Sequence, residues 1–147
     1  VALFTQHVLG MQPCPWCIAQ RVLYLLCGAL AILAALPPVR SSAGRIIATL
    51  FSAAGIVAAG GALVTALYQH FVAAASGSCA ITAADRFLTE TGLAEWLPEV
   101  FESRASCAEA DQALIGLPYS IWSAILAVIL LMLGGLALRA LWRSRVR

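Results

Sequence analysis

Two cysteines three positions apart open the chemistry of this chain, in Cys14-Pro15-Trp16-Cys17. That spacing serves zinc binding, dithiol redox exchange or c-type haem attachment. Haem attachment needs His directly after the second Cys, and Ile18 stands there, so it is excluded. Cys79 and Cys107 follow in one long connection, 28 residues apart. Four cysteines can bind zinc, although structural zinc sites usually draw on two close pairs. Two purely structural disulfides are the bland alternative on an oxidising face. Redox exchange is preferred because of the surroundings of Cys17. It falls in the first turn of a helix, where unsatisfied N–H groups and the macrodipole favour a thiolate. Arg21, at i+4, adds a full positive charge on the same face. A well-stabilised thiolate leaves readily in disulfide exchange.

The elements that carry these residues are set by composition. Hydrophobic residues make up 62% of the chain and charged residues 11%, with a mean hydropathy of +0.91. That balance excludes intrinsic disorder and argues against nucleic-acid binding despite nine arginines. A soluble core this small cannot hide so much apolar surface, so the expected solvent is lipid. Three runs are long enough to span, at 18–36, 46–71 and 119–138, the first ending at Pro37-Pro38. Residues 1–10 are apolar but reach only about 15 Å as a helix. They are read as the outer half of a further span, with an interfacial anchor as the alternative. The expected fold is an all-α membrane protein in a single domain: a four-helix transmembrane bundle, its first helix truncated.

Charge orients that bundle. Arg40 and Arg45 flank the connection after the first complete span, and Arg139, Arg143, Arg145 and Arg147 follow the last. The positive-inside rule puts the Arg40 connection and the C-terminal tail in the cytoplasm, so loops 11–17 and 72–118 face the other side. Four of the five cysteines then share one non-cytoplasmic face. All seven acidic residues, Asp85 to Asp111, fall in the second of these loops. Within it Leu93, Trp96, Leu97, Val100 and Phe101 recur at helical spacing, broken at Pro98. A short helix lying flat at the membrane interface is expected, or else a loop with a small hydrophobic cluster of its own. Arg21 is the only charge inside a complete span, so it is a functional candidate by default. It lies only about 6 Å in from Cys17, shallow enough to snorkel, and interfacial anchoring is its bland reading. Cys27, mid-span, reads as a small apolar side chain. Tyr24 and Gly28 continue the Cys17–Arg21 stripe, so lining a ring pocket is one reading of them and core packing the preferred one. Gly55, Gly60, Gly61, Gly134 and Gly135 are expected to let helices approach closely.

The motifs together resemble the DsbB family of bacterial inner-membrane proteins that reoxidise a periplasmic dithiol oxidase, DsbA. They are Gln6-His7-Val8, Pro13-Cys14-Pro15-Trp16-Cys17 with Gln20-Arg21, Tyr68-Gln69-His70, Cys79, Glu95-Trp96-Leu97-Pro98, Val100-Phe101, Ser106-Cys107-Ala108-Glu109, Leu117-Pro118 and Trp122. The resemblance implies a protein-dithiol:quinone oxidoreductase in the inner membrane, with its cysteines facing the periplasm. It implies that Cys79 and Cys107 form the disulfide offered to a DsbA-like partner, whose thiolate attacks Cys79 while Cys107 leaves. Cys14 and Cys17 would then restore that pair, Cys14 engaging Cys79 transiently. Cys17 would pass two electrons to ubiquinone or menaquinone beside Arg21. His70 matches a histidine implicated in quinone binding, and its bland reading is a half-solvated interfacial residue. A vitamin K epoxide reductase-like oxidoreductase is the competing enzyme, disfavoured because the C-x-x-C here opens a span. A membrane scaffold with structural disulfides or zinc is the non-enzymatic alternative.

Overall fold

The computed structural model describes residues 2–76 and 83–143, so Cys79, Arg145 and Arg147 lie outside the described residues. Among the described residues, three helices are long and apolar enough to cross a membrane. The first of them, α2 (Pro15–Ala35), follows a short helix, α1 (Ala2–Val8). Proline at the first helical position has its ring angle set for a helix and lacks only an N–H that would be unsatisfied anyway. Cys14 is the N-cap, its sulfur accepting from the Cys17 N–H at 3.4 Å. The helix stops ahead of Pro37-Pro38, which cannot continue it.

Ser41 caps the next helix, α3 (Ser42–Tyr68), its Oγ accepting the Gly44 N–H at 3.0 Å. The α3 helix runs on through a π-helical turn (Gln69–Ala73) into α4 (Ala74–Ser76). A π turn inserts a residue into the helical repeat and so changes the direction in which following side chains point. The loop beyond contains α5 (Ala83–Thr91), α6 (Leu93–Trp96), α7 (Pro98–Phe101) and α8 (Cys107–Ala110). A two-stranded hairpin, β1 (Ala113–Leu114) with β2 (Leu117–Pro118), leads into α9 (Tyr119–Arg143).

α3 packs between α2 and α9, and its contact face is nearly all alanine and glycine. Small residues let helix backbones approach where lipid offers no hydrophobic drive to associate. Gly134 on α9 is such a position, because a Cβ there would lie 2.7 Å from Ile56 Cγ1. Cys27 is buried against Ala58 and Ala59, its thiol 3.6 Å from the Gly55 carbonyl, a packing role as expected. The outward faces of the three helices carry exposed Leu, Ile, Val and Met, as suits side chains solvated by lipid.

The outer loop has the small hydrophobic cluster that was one expectation for it. The break at Pro98 is present, between α6 and α7, and Trp96 is exposed. Phe101, however, is buried with Ile18 and Leu88 in a small cluster that seats the loop on the start of α2. The helix α5 and the hairpin were not foreseen, since neither carries a long apolar pattern.

Candidate functional site

Three thiols meet where α8 lies over the N-terminus of α2. Cys14 and Cys17 sulfurs are 3.1 Å apart, as an N-cap and its third helical residue naturally are. Cys107, the first residue of α8, packs against Cys14 in one buried cluster with Ala110 and is hydrogen-bonded to it. Ser106 starts α8 with a reciprocal capping box to Glu109, which fixes the direction of the Cys107 side chain. The two thiols divide the proton unequally. Cys14, fully buried, is hydrogen-bonded to Cys107 and to Cys17, and these bonds with burial raise its pKa. The Cys107 pKa is lowered, first by the thiol hydrogen bond from Cys14 and further by the Trp16 backbone N–H. Cys107 is therefore the better thiolate of this pair.

Cys17 packs against the same cluster and also lines a cavity of about 590 Å³ bounded by α2, residues 11–13, the hairpin and the start of α9. Its wall is mostly apolar, with polar points that include Gln20, Arg21, Tyr24, Tyr119 and Ser123 beside Cys17. Arg21 sits one turn along α2 from Cys17. Its guanidinium donates to the Val100 carbonyl of α7 and to Gln6 Oε1 at 3.2 Å. Gln6 in turn donates to the Glu99 carbonyl at 3.2 Å. Arg21 is thus held by two protein acceptors on other elements. Its Nε is buried with no hydrogen-bond partner among the described residues.

His70 does not line this cavity. The π turn directs its ring to Asp111, with Nδ1 3.1 Å from Oδ2, and to Ser120 Oγ at 3.0 Å. The other Asp111 oxygen accepts the Ser120 N–H at 2.9 Å, at the start of α9. Tyr24 lines the cavity, the less preferred of its two readings, and donates its hydroxyl to the Ser123 carbonyl at 2.7 Å. Gly28 makes no part of the wall. No group of three or more His, Cys, Asp or Glu is arranged to hold a metal ion among the described residues.

Charge does not mark Gln20, Gln69 and Ser123, yet uncharged amides and hydroxyls in lipid need partners just as strictly, and that requirement is their signal in the sequence. Asp111 is one of seven acidic residues in the outer loop, and only the fold singles it out, through Ser120 and His70.

The family profile described as disulfide bond formation protein DsbB matches residues 1–137. The chain belongs to the DsbB family. It is 35% identical over 130 residues to disulfide bond formation protein B of Ralstonia nicotianae, covering 88% of this chain and 77% of that protein. The Nitrosomonas europaea protein of the same description is 34% identical over 148 residues, with 98% and 84% covered. No solved structure gives a significant match. As a DsbB-family chain it is a membrane protein and an oxidoreductase of disulfide bond formation, and the family implies a redox partner.

Proposed function

We propose that this chain takes two electrons and two protons from a DsbA-like dithiol protein and delivers them to a membrane quinone. The observation that carries this reading is the continuity of sulfur from Cys107 through Cys14 to Cys17, with Cys17 on the wall of the cavity. The partner's dithiol becomes a disulfide and the quinone becomes a quinol, which balances the exchange. In the proposed order the partner attacks the Cys79–Cys107 disulfide at Cys79, and Cys107 leaves as a thiolate. Its depressed pKa makes it a good leaving group. Attack on a Cys14–Cys17 disulfide then takes place at Cys14, and Cys17 leaves toward the cavity. Cys107 already touches Cys14, so it is placed to make that attack, and Cys79 remains the alternative attacker.

The cavity residues fit a quinone. Its volume lies in the range of small-ligand sites, with apolar walls for a ring and a few polar groups for its carbonyls. Arg21 lies on the same wall as Cys17, its guanidinium held in place by the Val100 carbonyl and Gln6. A bound quinone would supply the two-electron acceptor. The protein's part is to hold Cys17 at the wall and to aim the Arg21 charge where negative charge develops. His70, one residue from the buried Gln69, acts from behind the site through Asp111 and Ser120.

The orientation supporting this reading puts the cysteine end in the periplasm and Arg40, Arg45, Arg139 and Arg143 at the cytoplasmic face of the inner membrane. The test follows quinone absorbance in detergent after addition of a reduced DsbA-type protein. The expected result is turnover that Cys17→Ser abolishes. Turnover unaffected by that substitution overturns the relay, and no turnover in folded, quinone-loaded protein returns the structural-disulfide reading.

A further inference from the structure

Gln69 is completely buried, at the point where α3 passes into its π turn. A primary amide in that position needs partners for both ends, and the partners here set which way it faces. Tyr24, deeper along α2, donates its hydroxyl to the backbone carbonyl of Ser123 and shares a second contact with Ser123 Oγ, both at 2.7 Å. Ser123 Oγ donates to Gln20 Oε1. That occupies the carbonyl end of Gln20, so its Nε2 faces Gln69 and donates to Oε1 at 2.7 Å. The carbonyl end of Gln69 is occupied in turn, and its Nε2 points at Cys17 Sγ, 3.2 Å away. Hydroxyl, amide and amide all donate in one direction, and the run ends on the sulfur.

We infer that Gln69 is a positioning residue for Cys17, locked by Gln20 and Ser123 so that it presents an N–H donor to the Cys17 thiolate. A donor to sulfur stabilises the anion more than the thiol or the disulfide, because the acceptor then carries full charge. Aligned donors also polarise one another in a low-dielectric site. The inference deepens the proposed relay and rests on it for its purpose. When a thiolate attacks Cys14 in a Cys14–Cys17 disulfide, the new bond forms at Cys14 and the old one breaks. The electron pair then settles on Cys17, where Gln69 already donates. π-helical turns concentrate at functional sites, and this one starts at the residue concerned.

Other titratable groups surround the same thiol and must be held constant. They are Cys14 and Arg21 on α2, Cys107 on α8, Asp111 and His70 behind it, and Tyr24 and Tyr119 at the cavity wall. The experiment uses the full, reduced chain in detergent, with neither quinone nor partner present. Iodoacetamide labelling of Cys17 is resolved by mass spectrometry from pH 6 to 10, and the alkaline plateau corrects for access. Gln69→Met keeps the size and removes the donor. It is expected to lower the plateau-corrected rate at pH 7 about tenfold, as loss of one charge-assisted hydrogen bond implies. Ser123→Ala frees Gln20 to turn over, and is expected to act in the same direction by about two- to threefold.

An unchanged Cys17 profile in folded Gln69→Met protein overturns the inference and leaves Gln69 a packing residue. Should that variant not fold, Ser123→Ala decides, and an unchanged profile there overturns it equally. Because no quinone enters the assay, failure of the quinone reading leaves this result standing.

Discussion

Replacing Asp111 tests how the outer loop is held over the spans. Its carboxylate is 8% exposed and joins three elements. Oδ1 accepts the Ser120 N–H in the first turn of α9, and Oδ2 meets His70 Nδ1 in the π turn. The Asp111 backbone N–H closes α8 by bonding the Cys107 carbonyl at 3.2 Å. Asp111→Ala leaves the buried Ser120 N–H without its acceptor, which costs about 1–3 kcal/mol for an orphaned donor. Loss of the His70 contact adds about 1 kcal/mol, a modest figure because that ring is partly solvated. The expected sum is about 2–4 kcal/mol, or about 5–15 °C in Tm for a chain of this size. Asp111→Asn keeps an oxygen for Ser120 and loses the charge, so it should cost only about 1 kcal/mol. The measurement is thermal unfolding by circular dichroism in detergent, beside the rate at which a mild oxidant joins Cys14 to Cys107. The expected order in both is wild type, then Asn, then Ala. An Ala variant that melts and cross-links like wild type refutes the reasoning, and an Asn variant as weak as Ala refutes the role given to Oδ1.

Three further outcomes follow from the same geometry. In fully reduced protein Cys107 should be alkylated before Cys14. The lowered Cys107 pKa puts thiolate there below the ordinary thiol pKa of 9.0, while the raised one keeps Cys14 protonated through it. Cys107 labelling should therefore fall as pH drops through its lowered pKa, with Cys14 silent throughout, and equal labelling near neutral pH contradicts the assignment. Gly134→Val should lower Tm, because its side chain must displace Ile56 at a helix contact and overpacking costs about 1–3 kcal/mol. Ile115→Asn should raise Tm slightly, since Ile115 (φ 54°) and Gly116 (φ 80°) form the hairpin turn and a β-branched residue at positive φ is strained. That gain is about 1 kcal/mol, and a fall in Tm would show that the Ile115 side chain at the cavity wall outweighs its backbone.

Much of this protein is legible in one dimension. Apolar runs bounded by Pro37-Pro38 and the arginines mark the long helices to within a few residues, because crossing lipid demands an uninterrupted helix. Cys14-Pro15-Trp16-Cys17 with Arg21 is local, and helix geometry alone sets its N-cap and its stripe. Family membership likewise follows from motifs spread along nearly the whole chain. What folding alone decides is which distant groups share one polar site. Cys107 reaches Cys14 because α7 and α8 are tied down by Phe101, by Arg21 and by Asp111. Tyr24 belongs to the cavity because Ser123, on another span, takes its hydroxyl. His70 and Gln69 are neighbours in the chain, yet one bonds Asp111 and the other Cys17. The pattern of apolar residues specifies where a helix runs but not how it is rotated, and in lipid that rotation is set by the buried polar groups that must find one another.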